Sequence, residues 1–234
     1  MKVGISPFGI WRPGHPPGIA GFDAYAGLYA DARRWLNQGW VDYFSPQLYW
    51  PIKQEKQSFP KLLAWWAGEN TKKRHLWPGL IPSRVTGTDR GWPAGEIADQ
   101  IKATRAQPGA TGDVLFSMKP LLRNTGGIAD ALRAVYAEPA LVPASPWLAS
   151  RPPARPRLDL QEQSGRRVLR VRPAGEPVRL YVVRSRAGGK WSVRIQPADG
   201  DRPVAVPLAD RPERVLVTAI DRTGTESEPA TAEK

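Results

Sequence analysis

The sequence contains no cysteine and only two histidines, His15 and His75, among its 234 residues. Without cysteine, neither a disulfide framework nor a thiolate metal site can form, and two histidines are too few for a histidine-rich metal site. No apolar run approaches the length of a membrane span, and the first residues are not patterned as a signal peptide. No Gly-x-Gly-x-x-Gly follows a strand-like segment, so a dinucleotide-binding sheet has no support. Neither histidine is accompanied by a recognisable nucleophile motif, so Ser-His-Asp chemistry is not evident. The residues call for no metal and no cofactor.

Tryptophan and arginine, in contrast, are abundant. Eight of the ten tryptophans lie between Trp11 and Trp92, the others being Trp147 and Trp191. A Trp ring is costly to place unless it is buried or used for contact, so the clustering marks the first part of the chain as the working part. The formal charge is +12. Much of it comes from Arg151, Arg155, Arg157, Arg166, Arg167, Arg170 and Arg172. Such a balance favours anionic partners: nucleic acid, anionic lipid or an acidic envelope polymer. The plainer reading is a solvated basic surface, because no nucleic-acid motif accompanies the charge and the arginines are spread through strand-like segments. A nucleic-acid partner is not expected.

Residues 1–148 alternate strand-like and helix-like segments. Strands are predicted at 2–10, 42–50, 75–82 and 112–119. Helices are predicted at 31–38, from Ser58 through Trp66, at 94–106 and at 126–137, with Asp31 and Ser58 as caps. Four βα units in succession predict a parallel sheet with crossover helices, either an open doubly wound sheet or half of an eight-fold barrel. The strand-like Val3-Gly4-Ile5 directly after Met1-Lys2 favours the half-barrel and an ancestor extending further upstream. Residues 149–156 (ASRPPARP) read as a stiff linker. From 157 to 234 the hydrophobic period changes to two, predicting a small antiparallel β-sandwich. Asp221 to Ser227 look like the hairpin before the last strand of a fibronectin type III domain. No catalytic constellation is visible there, so this part reads as an accessory module.

In a βα barrel the working residues sit at the C-terminal strand ends and in the loops that follow. That rule selects Ser6, Phe8, Trp11 and Arg12 after the first strand, and Gln47, Tyr49 and Trp50 after the second. It adds Pro82, Ser83 and Arg84 after the third, and Ser117 and Lys119 on the fourth. Flat rings beside an amide suit a ligand with apolar faces and hydroxyl rims, which describes a sugar. Arg12, Arg84 and Lys119 could meet a carboxylate or lactyl group on an acidic sugar. Trp35, Trp65 and Trp66 lie on predicted helices and Trp77 inside a strand, so these are packing residues, and Asp42 at the start of its strand is structural. Glycosidic hydrolysis commonly uses two facing carboxylates. None of the four strand ends carries one, and of Asp23, Glu55 and Asp89 in the loops only Asp23 lies in a Gly/aromatic context.

The stretches Gly4-Ile5-Ser6-Pro7-Phe8-Gly9-Ile10-Trp11-Arg12-Pro13 and Gly39-Trp40-Val41-Asp42-Tyr43-Phe44-Ser45-Pro46-Gln47-Leu48-Tyr49-Trp50 resemble the glycosyl hydrolase-like 10 family of bacterial envelope proteins. Phe116-Ser117-Met118-Lys119 and Pro139-Ala140-Leu141-Val142-Pro143 also fit, so the resemblance covers residues 2–148. It implies a (β/α)8-type barrel, an extracytoplasmic setting in the periplasm or cell envelope, and action on glycan strands, with peptidoglycan the substrate class. Family members carry an upstream half with an Asp-rich strand end that would supply acid chemistry, and this sequence begins after it. The expectation is therefore a C-terminal half-barrel contributing substrate-binding residues Ser6, Phe8, Trp11, Arg12, Gln47, Tyr49, Trp50 and Lys119, with catalytic residues unassigned. The alternative is a non-catalytic glycan-binding or envelope-interaction protein using the same aromatic strand ends, and a third reading is a fragment that does not fold stably because its sheet edges are open.

Overall fold

A computed structural model describes residues 1–148, 151–163, 166–208 and 212–232, without the side chains of residues 163 and 166. Residues 149 and 150 of the expected linker lie outside the described residues. The chain divides into two compact units, Met1–Ala137 and Glu138–Lys234.

The first unit runs β1 (Gly4–Ile5), α1 (Ala24–Leu28), α2 (Ala32–Gln38), β2 (Tyr43–Phe44), α3 (Phe59–Glu69), β3 (His75–Leu76), β4 (Gly79–Leu80), α4 (Ala94–Ala106), β5 (Val114–Leu115), α5 (Met118–Leu122) and α6 (Ile128–Val135). All strand pairs are parallel: β1 with β2, β2 with β3, and β4 with β5. Single bridges from Phe8 to Gln47 and from Gln47 to Gly79 continue the ladder beyond the named strands. The four strand segments thus lie side by side in chain order, joined by helices, as a βα alternation requires. The segment predicted at 75–82 is split at Trp77-Pro78, because Pro78 has no N–H to give to the ladder.

Helix packing fixes the strands from behind. On α3, Phe59, Leu62, Leu63 and Trp66 recur on one face and are all buried. Ser58 precedes this helix without a side-chain cap bond, and the proline in the first turn removes one N–H that would need a partner. Asp31 does cap α2, accepting from the Arg34 N–H at 3.2 Å. Trp66 tilts against Phe44 at 4.7 Å and donates its indole N–H to the Gly9 carbonyl at 2.8 Å. One buried ring therefore holds both the second strand and the chain leaving the first. On α4, Gln100 Nε2 donates to the Trp50 carbonyl at 3.1 Å, and Glu96 Oε1 accepts from the Ile52 N–H at 2.7 Å. The end of the 42–50 segment is tied down from this side.

The fourth segment differs from the expectation over 112–119. Its ladder stops at Leu115, and α5 begins at Met118, so Lys119 lies on a helix and not on a strand. A short helix, α1, also stands where none was predicted. Asp23 starts it by accepting the Ala26 N–H at 2.9 Å.

The second unit holds β6 (Arg157–Gln163), β7 (Arg166–Arg172), β8 (Leu180–Ala187), β9 (Lys190–Pro197), β10 (Val204–Pro207), β11 (Arg214–Ile220) and β12 (Ala230–Ala232). They form two antiparallel sheets, ordered β10-β7-β6 and β12-β11-β8-β9. Leu169, Val171 and Val206 from the first sheet and Tyr181, Val183, Val215 and Val217 from the second share one buried cluster. The period-two pattern therefore reports inward-facing residues of paired strands.

Candidate functional site

The 42–50 segment sorts its residues by parity. Phe44 and Leu48 are fully buried on the helix side. Tyr43, Ser45, Gln47 and Tyr49 instead line a concavity of about 470 Å³ on the other face of the sheet. Gly4, Ile5 and Ser6 from the first segment, Gly79 from the third, and Val114 and Phe116 from the fourth complete it. None of these lining residues is Asp or Glu.

The concavity is shaped by rings over glycines. A Cβ on Gly4 would lie 2.1 Å from the Tyr43 ring, and one on Gly79 would lie 3.3 Å from the Tyr49 ring. Glycine at these two places lets the aromatic faces lie against the neighbouring strand backbone. The Tyr49 ring stacks with Phe116 at 6.2 Å and 21° between planes. Gln47 Nε2 donates to the Ser6 carbonyl at 2.9 Å, which orients the amide along the strand ends. The Ser45 hydroxyl is buried and has no hydrogen-bond partner. Burial pushes the Tyr49 phenol above its ordinary value of 10.0, so it stays a neutral donor and acceptor near neutral pH. Below these residues, Tyr43 stacks on Trp77 at 5.0 Å and Trp77 on His75 at 5.1 Å.

Of the sequence-selected residues, the concavity brings together Ser6, Gln47 and Tyr49. Phe8, Trp11, Arg12, Trp50 and Lys119 are not among its lining residues. Phe8 and Trp50 meet edge to face at 5.6 Å, and Phe8 meets Phe22 likewise at 5.7 Å. Trp11 stacks with Trp65 at 6.1 Å and has the Arg33 guanidinium over its ring at 5.1 Å. Arg12 lies over Tyr25 at 4.9 Å and pairs with Asp23 at 3.2 Å. Lys119 is exposed on α5, as is Arg84 on the short 3-10 turn Pro82–Arg84.

Asp23, the one loop carboxylate in a suggestive context, is fully occupied in structural work. One oxygen accepts from Ala26 and the other from Arg12. The Ala26 N–H, with Arg12 beside it, holds its carboxyl below 3.8 against a smaller opposing effect of burial. A carboxylate held ionised in this way does not serve as a proton donor near neutral pH. Among the described residues, no three His, Cys, Asp or Glu side chains converge on a metal-sized site, and no helix is long and apolar enough to cross a membrane.

Phe116, Tyr43, Ser45 and Gly79 were not selected from sequence. Parity supplies the missing signal: once Tyr49 and Gln47 are assigned to one face, Ser45 and Tyr43 follow, and Phe116 shares a face with Val114.

Comparison with known proteins places this geometry in context. The chain is 35% identical over 204 residues to the glycosyl hydrolase YngK of Bacillus subtilis (strain 168), covering 81% of this chain and 40% of that protein. It is 34% identical over 131 residues to the glycosyl hydrolase DigH of Escherichia coli (strain K12), covering 50% of this chain and 29% of that one. The chain therefore spans well under half the length of these relatives. Among solved structures, a Cellulomonas fimi endo-beta-1,4-mannanase double mutant aligns over 82% of this chain and 47% of its own, at 18% identity and a TM-score of 0.30. Residues 1–91, which carry Ser6, Gln47, Tyr49 and Gly79, match the family Glycosyl hydrolase-like 10.

Proposed function

We propose that this chain is the substrate-contacting part of a glycoside hydrolase-like protein that acts on bacterial cell-envelope glycan, with peptidoglycan glycan strands as the substrate class and an extracytoplasmic site of action. The observation that carries this reading is the concavity where the stacked Tyr49 and Phe116 rings stand beside the Gln47 amide. Rings accept the apolar face of a pyranose, and the amide can bond its rim. The matching family and the names of the two relatives support the same class.

The domain reading belongs to this proposal. Residues 1–148 form the C-terminal half of a (β/α)8-type barrel, 149–156 a linker, and 157–234 a fibronectin III-like sandwich. The parallel order of the first unit supports the first assignment, and the strand orders β10-β7-β6 and β12-β11-β8-β9 support the last. No carboxylate lines the concavity, and the longer relatives extend well beyond the matched region. The pair of carboxylates that hydrolysis calls for is assigned to sequence outside this chain. That same lining favours the second reading, glycan binding without cleavage, for the chain by itself.

The test is co-sedimentation of the purified chain with peptide-free glycan strands, followed by measurement of strand length. Binding that is lost in Tyr49→Ala, with strand length unchanged, is the expected result. Failure of the folded chain to bind any glycan strand overturns the proposal, and shortening of the strands overturns the assignment of cleavage to other sequence.

A further inference from the structure

We propose that the second unit carries a binding face for an acidic polysaccharide, formed by Arg157, Arg170 and Arg172 on the outer side of the β10-β7-β6 sheet. This goes beyond the reading of the first unit and does not depend on it.

Alternation creates the face. Leu169, Val171 and Val206 point into the shared core, so their neighbours Arg170, Arg172 and Ala205 point to solvent. The antiparallel register sets Arg157 directly opposite Arg172, and Asp159 directly opposite Arg170. On the far side of Arg170 stands Ala205, whose small side chain leaves space. The three arginines, with Leu158, Asp159 and Pro203, line a shallow concavity of about 280 Å³.

Asp159 offsets only part of the charge of the three arginines on this face. Like charges directly opposite one another in a sheet are destabilising, yet two arginines face each other here. Among the described residues no carboxylate lies within ion-pair distance of Arg157, Arg170 or Arg172. Asp159 instead accepts from Gln161 Nε2 at 2.7 Å, and Gln161 Oε1 accepts from Arg170 Nε at 2.8 Å. That relay fixes the Arg170 fork and leaves its terminal nitrogens available. The other sheet shows the contrast: Arg184 pairs with Glu226 at 2.9 Å, and Arg186 with Glu213 at 3.5 Å.

The chemistry of the face selects the partner. A guanidinium fork matches a carboxylate in bidentate fashion, and several in a row match a chain bearing repeated carboxylates. Neighbouring positions on the face are about 5 Å apart across the strands and about 7 Å along them. No aromatic ring lines the concavity. Single-stranded nucleic acid, which is held by stacking its bases on such rings, therefore finds only half of what it needs. An acidic polysaccharide asks for regularly placed cations and no stacking platform, and three arginines against the single Asp159 leave this face net positive.

The test uses the full 234-residue chain with polygalacturonate as the probe, its fully methyl-esterified form as the neutral control, and single-stranded DNA as a competing polyanion. Polygalacturonate should bind and the ester should not. Arg157→Gln with Arg172→Gln should weaken binding at least about tenfold, as loss of charge-assisted hydrogen bonds implies. The charge-matched pair Arg214→Gln with Arg222→Gln, on exposed residues elsewhere in the unit, should change it less than about twofold. Because the opposed arginines repel, the first pair of substitutions should also raise the melting temperature at low salt. Tyr49→Ala should leave polygalacturonate binding intact, which keeps this outcome separate from that of the first unit. Equal weakening by both double variants, equal or tighter binding of the DNA, or a lowered melting temperature in the Arg157/Arg172 variant would each overturn the proposal.

Discussion

Gln47 holds the first strand's exit at two successive carbonyls: its side-chain amide donates to the Ser6 carbonyl at 2.9 Å, and its own backbone N–H donates to the adjacent Pro7 carbonyl at 3.0 Å. One residue thus joins the ends of two strands that are 41 positions apart, at the rim where a ligand would sit. Gln47→Leu keeps most of the volume and the backbone bond but removes the amide. The expected cost is about 1 kcal/mol in stability, the net worth of one hydrogen bond. If the proposed glycan reading holds, binding should fall as well, because the amide would then be a contact as well as a strut. A melt shifted as expected with unchanged glycan co-sedimentation would assign Gln47 to structure alone.

Tyr49 separates the ring from its hydroxyl. Tyr49→Phe preserves stacking on Phe116, whereas Tyr49→Ala removes it. An aromatic pair contributes about 0.5–1.5 kcal/mol beyond its buried area. The alanine variant should therefore lose glycan affinity by several-fold or more, and the phenylalanine variant much less. Burial raises the phenol above 10.0, so ionisation of this group lies on the alkaline side. Binding should consequently show no titration of this hydroxyl between neutral pH and about pH 9. An isotherm that weakens across that range in the wild type but not in Tyr49→Phe would contradict the burial argument.

Much of the first unit is legible from periodicity because its helices and strands differ in period. The α3 face of Phe59, Leu62, Leu63 and Trp66, and the strand face of Gln47 and Tyr49, can both be read from spacing. Less legible is where a strand stops. Phe116 to Lys119 continue an apolar and polar alternation, and nothing local announces that a helix starts at Met118. Trp50 and Phe8 illustrate a second limit. A ring at a strand end reads equally well as a ligand platform or as packing, and its contacts with distant partners such as Phe22 become visible only with the fold. Asp23 illustrates a third, since its use as a helix cap and as the partner of Arg12 becomes visible only with the fold.

In the second unit, Tyr181 has a fully buried side chain whose hydroxyl lacks a hydrogen-bond partner. Burial, with Asp201 adding to it, pushes this phenol up to about 12. An unsatisfied buried hydroxyl carries a desolvation cost of about 1–3 kcal/mol. Tyr181→Phe keeps the ring in the core and removes that cost, so it should raise the melting temperature. Tyr181→Ala should instead lower stability by about 3–5 kcal/mol, the usual range for a large buried aromatic. A destabilised phenylalanine variant would show that the hydroxyl is satisfied in solution.

His75 sits beneath the concavity, 3% exposed and stacked on Trp77. Burial lowers its pKa below 6.5, with Lys2 acting in the same direction and Asp42 against it. Between 6.5 and this lower native value the unfolded chain binds more protons than the folded one, so stability falls as pH falls through that window. Above 6.5 the imidazole is neutral in both states and contributes no slope. Asp113, whose carboxyl burial raises above 3.8, contributes with the opposite sign above that value, so the wild-type curve alone does not isolate the histidine. The readout is the difference between proteins: melting temperatures at pH 8, 6 and 5 should fall more steeply in the wild type than in His75→Asn, which is less stable at pH 8 but has no imidazole to titrate. Equal slopes in the two would show that the buried imidazole takes up its proton without resisting it.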